Sequence, residues 1–174
     1  MIRLTPEDFR IQPWANGRGR TVELWRLERD GALLVRLSMA AVDQDGPFSL
    51  FPGIERNLTV IAGPGFRLTG PGLDLDCRPL VPVAFPGDLP VSASGTAAGA
   101  SEDVNVMTAR ALPRPDVRIV TAADLPPGCT LALLALADSQ LNGHPLPRHH
   151  LALTQGGARL SGLALAVSLV AGVP

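Results

Sequence analysis

The apolar residues of this 174-residue chain fall into short runs. The clearest is Leu33 to Ala40, where Leu33, Val35, Leu37 and Met39 alternate with Leu34, Arg36, Ser38 and Ala40. A period of two sets these groups on opposite faces of a strand, one purely apolar and the other mixed. Thr21 to Glu28 predicts a second strand, with Val22 and Leu24 opposite Thr21, Glu23 and Trp25. Further runs predict strands over 57–62, 65–68, 80–85, 104–110, 117–121, 130–137, 150–154 and 163–170. By composition the last two, and the Ala- and Leu-rich 130s segment, also suit a buried helix. Their length and β-branched residues favour strand.

Between the runs stand 18 glycines and 17 prolines, which leave little room for long helices. Turns are expected at Asp30-Gly31, Asp45-Gly46-Pro47, Pro52-Gly53, Gly63-Pro64-Gly65 and Gly70-Pro71-Gly72. Pro90 to Ser101 carries no charge and reads as an exposed, mobile excursion, with a lid as the alternative. Thr121 to Asp124, ahead of Pro126-Pro127, has room for one helical turn. The whole rhythm is that of an all-β sandwich or closed barrel.

At 46% hydrophobic residues the chain can bury a sizeable core, as one domain or as two small β halves. Fifteen basic and 16 acidic residues leave a formal charge of -1. That balance gives no electrostatic grip on nucleic acid or on an anionic membrane. The start, MIRLTPEDFR, lacks an apolar signal core, and no run approaches the roughly 20 apolar residues of a membrane span. A cytoplasmic protein is expected, with Cys77 and Cys129 as free core thiols.

The histidines are His144, His149 and His150, all late in the chain. In a strand the adjacent pair would face opposite ways, so no metal site and no cofactor are expected. Asn16-Gly17-Arg18-Gly19-Arg20-Thr21 lacks the Gly-Lys-Ser/Thr ending of a nucleotide loop. It reads as a basic surface turn or as the edge of a ligand pocket. Ser38 and Ser49 lie in no nucleophile-elbow motif, and no catalytic residue is assigned.

More informative are polar residues set within or beside apolar strands: Glu23, Arg36, Ser38, Ser49, Arg56 and Asn105. A buried charge needs partners or nearby water, and a barrel meets that need by making one face a polar cavity. Arg36 and Arg56 could hold a carboxylate. Glu23 could accept bonds from an amino or imino group, with Asn16, Ser38 and Asn105 orienting neutral parts. The plainer alternatives are an internal salt bridge for Glu23 and a solvated Arg56. Trp14 and Phe48 are read as pocket wall and Trp25 as core, with Phe51 flanking Pro52.

These residues carry a family resemblance. Trp14, Asn16, Gly17, Gly19, Thr21 and Glu23 open it, followed by Arg36-Leu37-Ser38-Met39-Ala40 and Asp45-Gly46-Pro47-Phe48-Ser49. Phe51-Pro52-Gly53, Arg56, Leu58, Phe85-Pro86-Gly87-Asp88 and Asp103-Val104-Asn105-Val106-Met107 complete it. In this order they resemble the HutD/Ves proteins, associated with bacterial histidine utilisation. Arg18 departs from a usual three-glycine turn, and Val104 from a usual leucine.

The resemblance implies a duplicated cupin-like fold, an RmlC-like jelly roll. Residues 1–174 would form one compact bicupin unit with halves near 1–110 and 111–174 and strands exchanged between them. It also implies a non-catalytic, small-molecule binding protein, and its last block adds Met107 to the ligand-binding set. The expected ligand is a small carboxylate such as urocanate or formyl- or formimino-glutamate. Alternatives are a metal-independent amidohydrolase or isomerase using Glu23, and a protein-interaction regulator. An exposed sheet could support a homodimer.

Overall fold

Asp30 and Gly31 both adopt left-handed backbone angles, with φ of 51° and 76°. Two such residues in succession make the tight turn whose twist matches paired antiparallel strands. The hairpin they close is the first large feature of the chain, and the computed structural model describes residues 1–14 and 19–169 around it.

The chain opens with β1 (Ile2–Leu4). Ten strands follow it: β2 (Arg10–Pro13), β3 (Arg20–Arg29), β4 (Ala32–Val42), β5 (Gly46–Pro47), β6 (Ile54–Ala62), β7 (Phe66–Gly70), β8 (Leu73–Cys77), β9 (Val83–Pro86), β10 (Ser92–Ser94) and β11 (Ser101–Ala109). Then come β12 (Asp116–Leu125), β13 (Thr130–Ala135), β14 (Ser139–Leu141), β15 (His144–Leu146), β16 (Leu151–Thr154) and β17 (Ala158–Leu169). Helix among the described residues is confined to two 3-10 turns, Pro6–Asp8 and Thr96–Ala98. Among the described residues no helix is long and apolar enough to cross a membrane.

The chain forms two compact units, Arg10–Leu112 and Met1–Phe9 with the chain from Pro113 onward. In Arg10–Leu112, a six-stranded sheet runs β2-β3-β4-β11-β6-β9 and a four-stranded sheet runs β5-β10-β7-β8. Their side chains meet in one core that includes Leu58, Val60 and Phe85 from the first sheet and Phe66, Leu68 and Ala93 from the second. Full burial of each large member stabilises the fold by about 1.5–3 kcal/mol. In the other unit, the sheet runs β1-β16-β13-β17-β14-β15, with β12 also on β17. Leu131, Leu133 and Ala135 pack there with Leu141, Leu146 and Leu160.

Several expectations need correction. The 130s segment is strand, as expected, but it ends at Ala135 instead of Ala137, and all six residues of β13 are buried. A strand buried on both faces loses its alternation, which is why its composition suited a helix equally well. Strand over 80–85 begins only at Val83, because Pro79 and Pro82 lack the N–H a ladder needs and Leu80 turns with φ 62°. Thr121 to Asp124 is part of β12 and forms no helical turn. Pro90 to Ser101 is no exposed excursion: Val91, Ala93, Thr96 and Ser101 are buried, and β10 pairs with both β5 and β7. Thr96 donates from its N–H and hydroxyl to Asp45 Oδ1 at 3.0 and 2.8 Å. Trp25 is only partly buried.

Gly65 ties the turn before β7 to β11. Its N–H donates to Ser101 Oγ at 2.8 Å, its φ is +88°, and an added Cβ would lie 2.3 Å from the Cys77 carbonyl oxygen. Strain and clash act together, so Gly65→Ala is expected to lower unfolding free energy by about 2 kcal/mol or more in urea denaturation.

Candidate functional site

The Arg10–Leu112 unit contains a cavity of about 340 Å³. Its wall follows from strand periodicity. Arg36, Ser38, Ala40 and Val42 reach it from β4, and Asp103, Asn105 and Met107 from β11, each set two residues apart. Register places them in rows. Arg36 lies opposite Met107, Met107 opposite Arg56, and Arg56 opposite Phe85. The next row sets Ser38 beside Asn105 and Leu58, and the third sets Ala40 beside Asp103.

Arg56 is 5% exposed, so the solvated alternative fails. Its Cζ lies 5.0, 5.2 and 5.4 Å from the ring centroids of Phe85, Phe48 and Phe51. Three aromatic faces around one guanidinium stabilise its charge where water is scarce. Nε and Nη2 donate to Asn105 Oδ1 at 3.2 and 2.7 Å, and Nη1 donates to the Ser49 carbonyl at 3.3 Å. Among the described residues no carboxylate forms an ion pair with it. Burial pulls its pKa down to about 10, the nearby Asp103 charge works against that, and Arg36 adds to it. It remains a cation at neutral pH, with donors to spare.

Asn105 is held at both ends. Its Oδ1 faces Arg56, and its Nδ2 donates to Asp103 Oδ1 at 2.7 Å. Asp103 is 1% exposed, and its Oδ2 is buried with no hydrogen-bond partner among the described residues. Burial pushes its pKa up to about 7, against the pull of Arg56 and the Asn105 bond, with Glu102 adding to the rise. Asp103 lies inside one of the motif blocks, yet sequence reasoning gave it no role in the site. Its placement two residues before Asn105 was the available signal.

Arg36 is spoken for differently. Its Nε donates to Glu23 Oε2 at 2.7 Å and its Nη2 to Gln12 Oε1 at 2.9 Å. Glu23 also sits 3.7 Å from Arg26. Glu23 is therefore the internal salt-bridge partner and is not among the residues lining the cavity. A β-bulge between Glu23 and Trp25 breaks the expected alternation and leaves Glu23 and Leu24 both buried.

Trp14, Phe48 and Ser49 line the cavity, as do Thr21 and Phe51. Trp14 Nε1 donates to Thr21 Oγ1 at 2.9 Å, and the ring rests against Gly19, where a Cβ would come within 2.8 Å of it. Asn16 lies outside the described residues, so its place is not assigned.

Metals are common in cupin folds, but this wall does not suit a cation. Two guanidinium groups and one carboxylate bound to Asn105 make a poor ligand set. Among the described residues no three His, Cys, Asp or Glu side chains cluster as a metal site. The histidines belong to the other unit: His144 starts β15, exposed, while His149 stands in a turn with φ 64°. Cys77 and Cys129 are free thiols, the first buried and the second partly so. Burial pushes the Cys77 thiol up to about 12, with Asp103 and Asp76 adding to the rise.

Comparison with known proteins fits this geometry. HutD from Pseudomonas fluorescens SBW25, determined in a formate condition, is 27% identical, with a TM-score of 0.88 over 97% of each chain. A conserved protein of unknown function from Pseudomonas aeruginosa PAO1 is 30% identical, with a TM-score of 0.85 over 98% of each. An uncharacterised 21.2 kDa protein from the hutC 3′ region of Pseudomonas putida is 38% identical over 111 residues, 61% of this chain. The match spans 57% of that relative's length. The fold is mostly β and of the cupin, jelly-roll type, as in the two solved Pseudomonas structures. The HutD family model matches residues 6–168, nearly the whole chain, and the protein belongs to the HutD family.

Proposed function

We propose that the cavity binds a small carboxylate metabolite without turning it over, and that this binding modulates histidine utilisation in the cytoplasm. The observation that carries the reading is Arg56. A buried guanidinium with no carboxylate partner among the described residues is costly to keep, and an anionic ligand would offset that cost. Carboxylate oxygens could accept its remaining N–H groups, and those of Arg36 not taken by Glu23 and Gln12. Phe48 and Phe51 offer an apolar wall for the carbon skeleton.

The family name and the hutC-region relative support a pathway metabolite: urocanate, N-formylglutamate or N-formiminoglutamate. Glu23, on which an acid–base mechanism would rest, is committed to Arg36. We read the two units as diverged cupin-like halves of a bicupin, with Met1–Phe9 exchanged into the C-terminal half.

Isothermal titration of the native protein with the three metabolites tests the function. Saturable binding of at least one is expected. Absence of binding for all three would remove the proposal.

A further inference from the structure

We propose that a carboxylate ligand enters this cavity together with one proton, taken up by Asp103, whose ionised carboxylate otherwise balances the Arg56 charge from across the Asn105 amide. This rests on the carboxylate-binding reading above.

The argument begins with charge. Arg36 is neutralised by Glu23, so among the described residues the remaining charges on the cavity wall are Arg56 and Asp103. They are one amide group apart, because Asn105 accepts from the first and donates to the second. With Asp103 ionised, the pair is neutral overall and an arriving anion meets a carboxylate of its own sign. With Asp103 protonated, the wall carries one net positive charge and the anion is its complement. A low-dielectric cavity makes that difference large.

Geometry makes Asp103 the group that yields. Its Oδ1 is satisfied by Asn105, while its Oδ2 is buried and unpartnered among the described residues. A carboxylate in that state is stabilised only in part, and a proton on it removes the buried negative charge. The other groups facing Asp103 cannot take this part. Arg56 on β6 stays cationic. Arg36 on β4 is held by Glu23 on β3. Cys77 at the end of β8 is a neutral thiol, and the neighbouring Asp76 is exposed beside Arg78. Arg67 on β7 turns outward to Asp74, and Glu102 on β11 itself faces away from the cavity wall. No histidine lies within Arg10–Leu112.

The step is a binding equilibrium: the ligand anion and one solvent proton associate with the protein, no covalent bond to the ligand changes, and the proton ends on Asp103. Since the free Asp103 carboxyl titrates at about 7, the coupling is silent in acid, where the proton is already present, and grows above neutrality.

The test is calorimetry with N-formyl-L-glutamate, whose carboxylates stay ionised from about pH 6 to about pH 9. It is run in buffers of different ionisation heat. Wild-type Kd is expected to rise by up to about tenfold per pH unit above neutrality, with uptake approaching one proton per ligand. Asp103→Asn is expected to bind with a flat profile and no uptake. In wild type, the Asp103 carboxyl ¹³C resonance is expected to move to its protonated position when ligand is added at about pH 8, a readout that needs no variant. A pH-flat wild type, an unmoved resonance, or equal uptake in Asp103→Asn overturns the inference while leaving carboxylate binding intact. Absence of binding at every pH removes the proposed function and this inference with it.

Discussion

Replacing Arg56 by methionine is expected to weaken carboxylate binding about a hundredfold while the protein stays folded. The affinity loss follows from hydrogen bonds to a charged group, worth about 1.5–3 kcal/mol each, against 1.4 kcal/mol for every factor of ten. The retained fold follows from opposing terms. Methionine fills the space among Phe48, Phe51 and Phe85 with an apolar chain and removes a buried charge. Asn105 Oδ1 loses its donors, a cost of about 1–3 kcal/mol, and Asp103 can answer the lost charge by taking a proton. Arg56→Lys separates charge from shape. It keeps the cation without the planar fork, so its affinity is expected between the other two. Calorimetry gives the affinities and urea denaturation the stabilities. Wild-type affinity in Arg56→Met would place the anion elsewhere.

Much of the site was legible because strand periodicity is local. Arg36 and Ser38 share a face by spacing alone, as do Asn105 and Met107, and the structure sets these pairs on neighbouring strands. What spacing cannot show is which strands pair. Phe85 belongs to the Arg56 cage because β9 lies beside β6, a fact of register across 29 residues of chain. The bulge at Leu24 was equally hidden, since a single extra residue has no signature among Val22, Glu23 and Leu24. Pro90 to Ser101 misled for a different reason. Small uncharged residues fit both a mobile linker and a segment packed into a sheet, and the Asp45 carboxylate that anchors it lies 51 residues away from Thr96. The strands of the C-terminal unit were visible as elements, but their composition left helix open until β13 was seen paired between β16 and β17.

The second large effect is expected at Glu23, and it separates a structural carboxylate from a catalytic one. Glu23 is 4% exposed and Arg36 8%. Glu23→Ala would leave the Arg36 guanidinium buried with only Gln12 as its hydrogen-bond partner among those formed here. Breaking a buried pair from one side costs about 3–5 kcal/mol, since the surviving charge keeps its desolvation penalty and loses its counter-charge. Arg26, 3.7 Å from Glu23, would lose a partner as well, and two arginines set opposite each other across β3 and β4 would then repel. Urea denaturation should therefore show a loss of several kcal/mol in Glu23→Ala. Glu23→Gln, which keeps a hydrogen-bond acceptor for Arg36 Nε, should lose less. The double variant Glu23→Leu with Arg36→Met, which removes both charges and keeps apolar volume, should recover much of the stability. An acid or base acting on a ligand predicts the opposite pattern: unchanged stability in Glu23→Gln and no rescue by a change at Arg36. Recovery in the double variant would fix Glu23 as the residue that holds Arg36 in place, leaving recognition to the guanidinium groups and to the Asn105–Asp103 pair behind them.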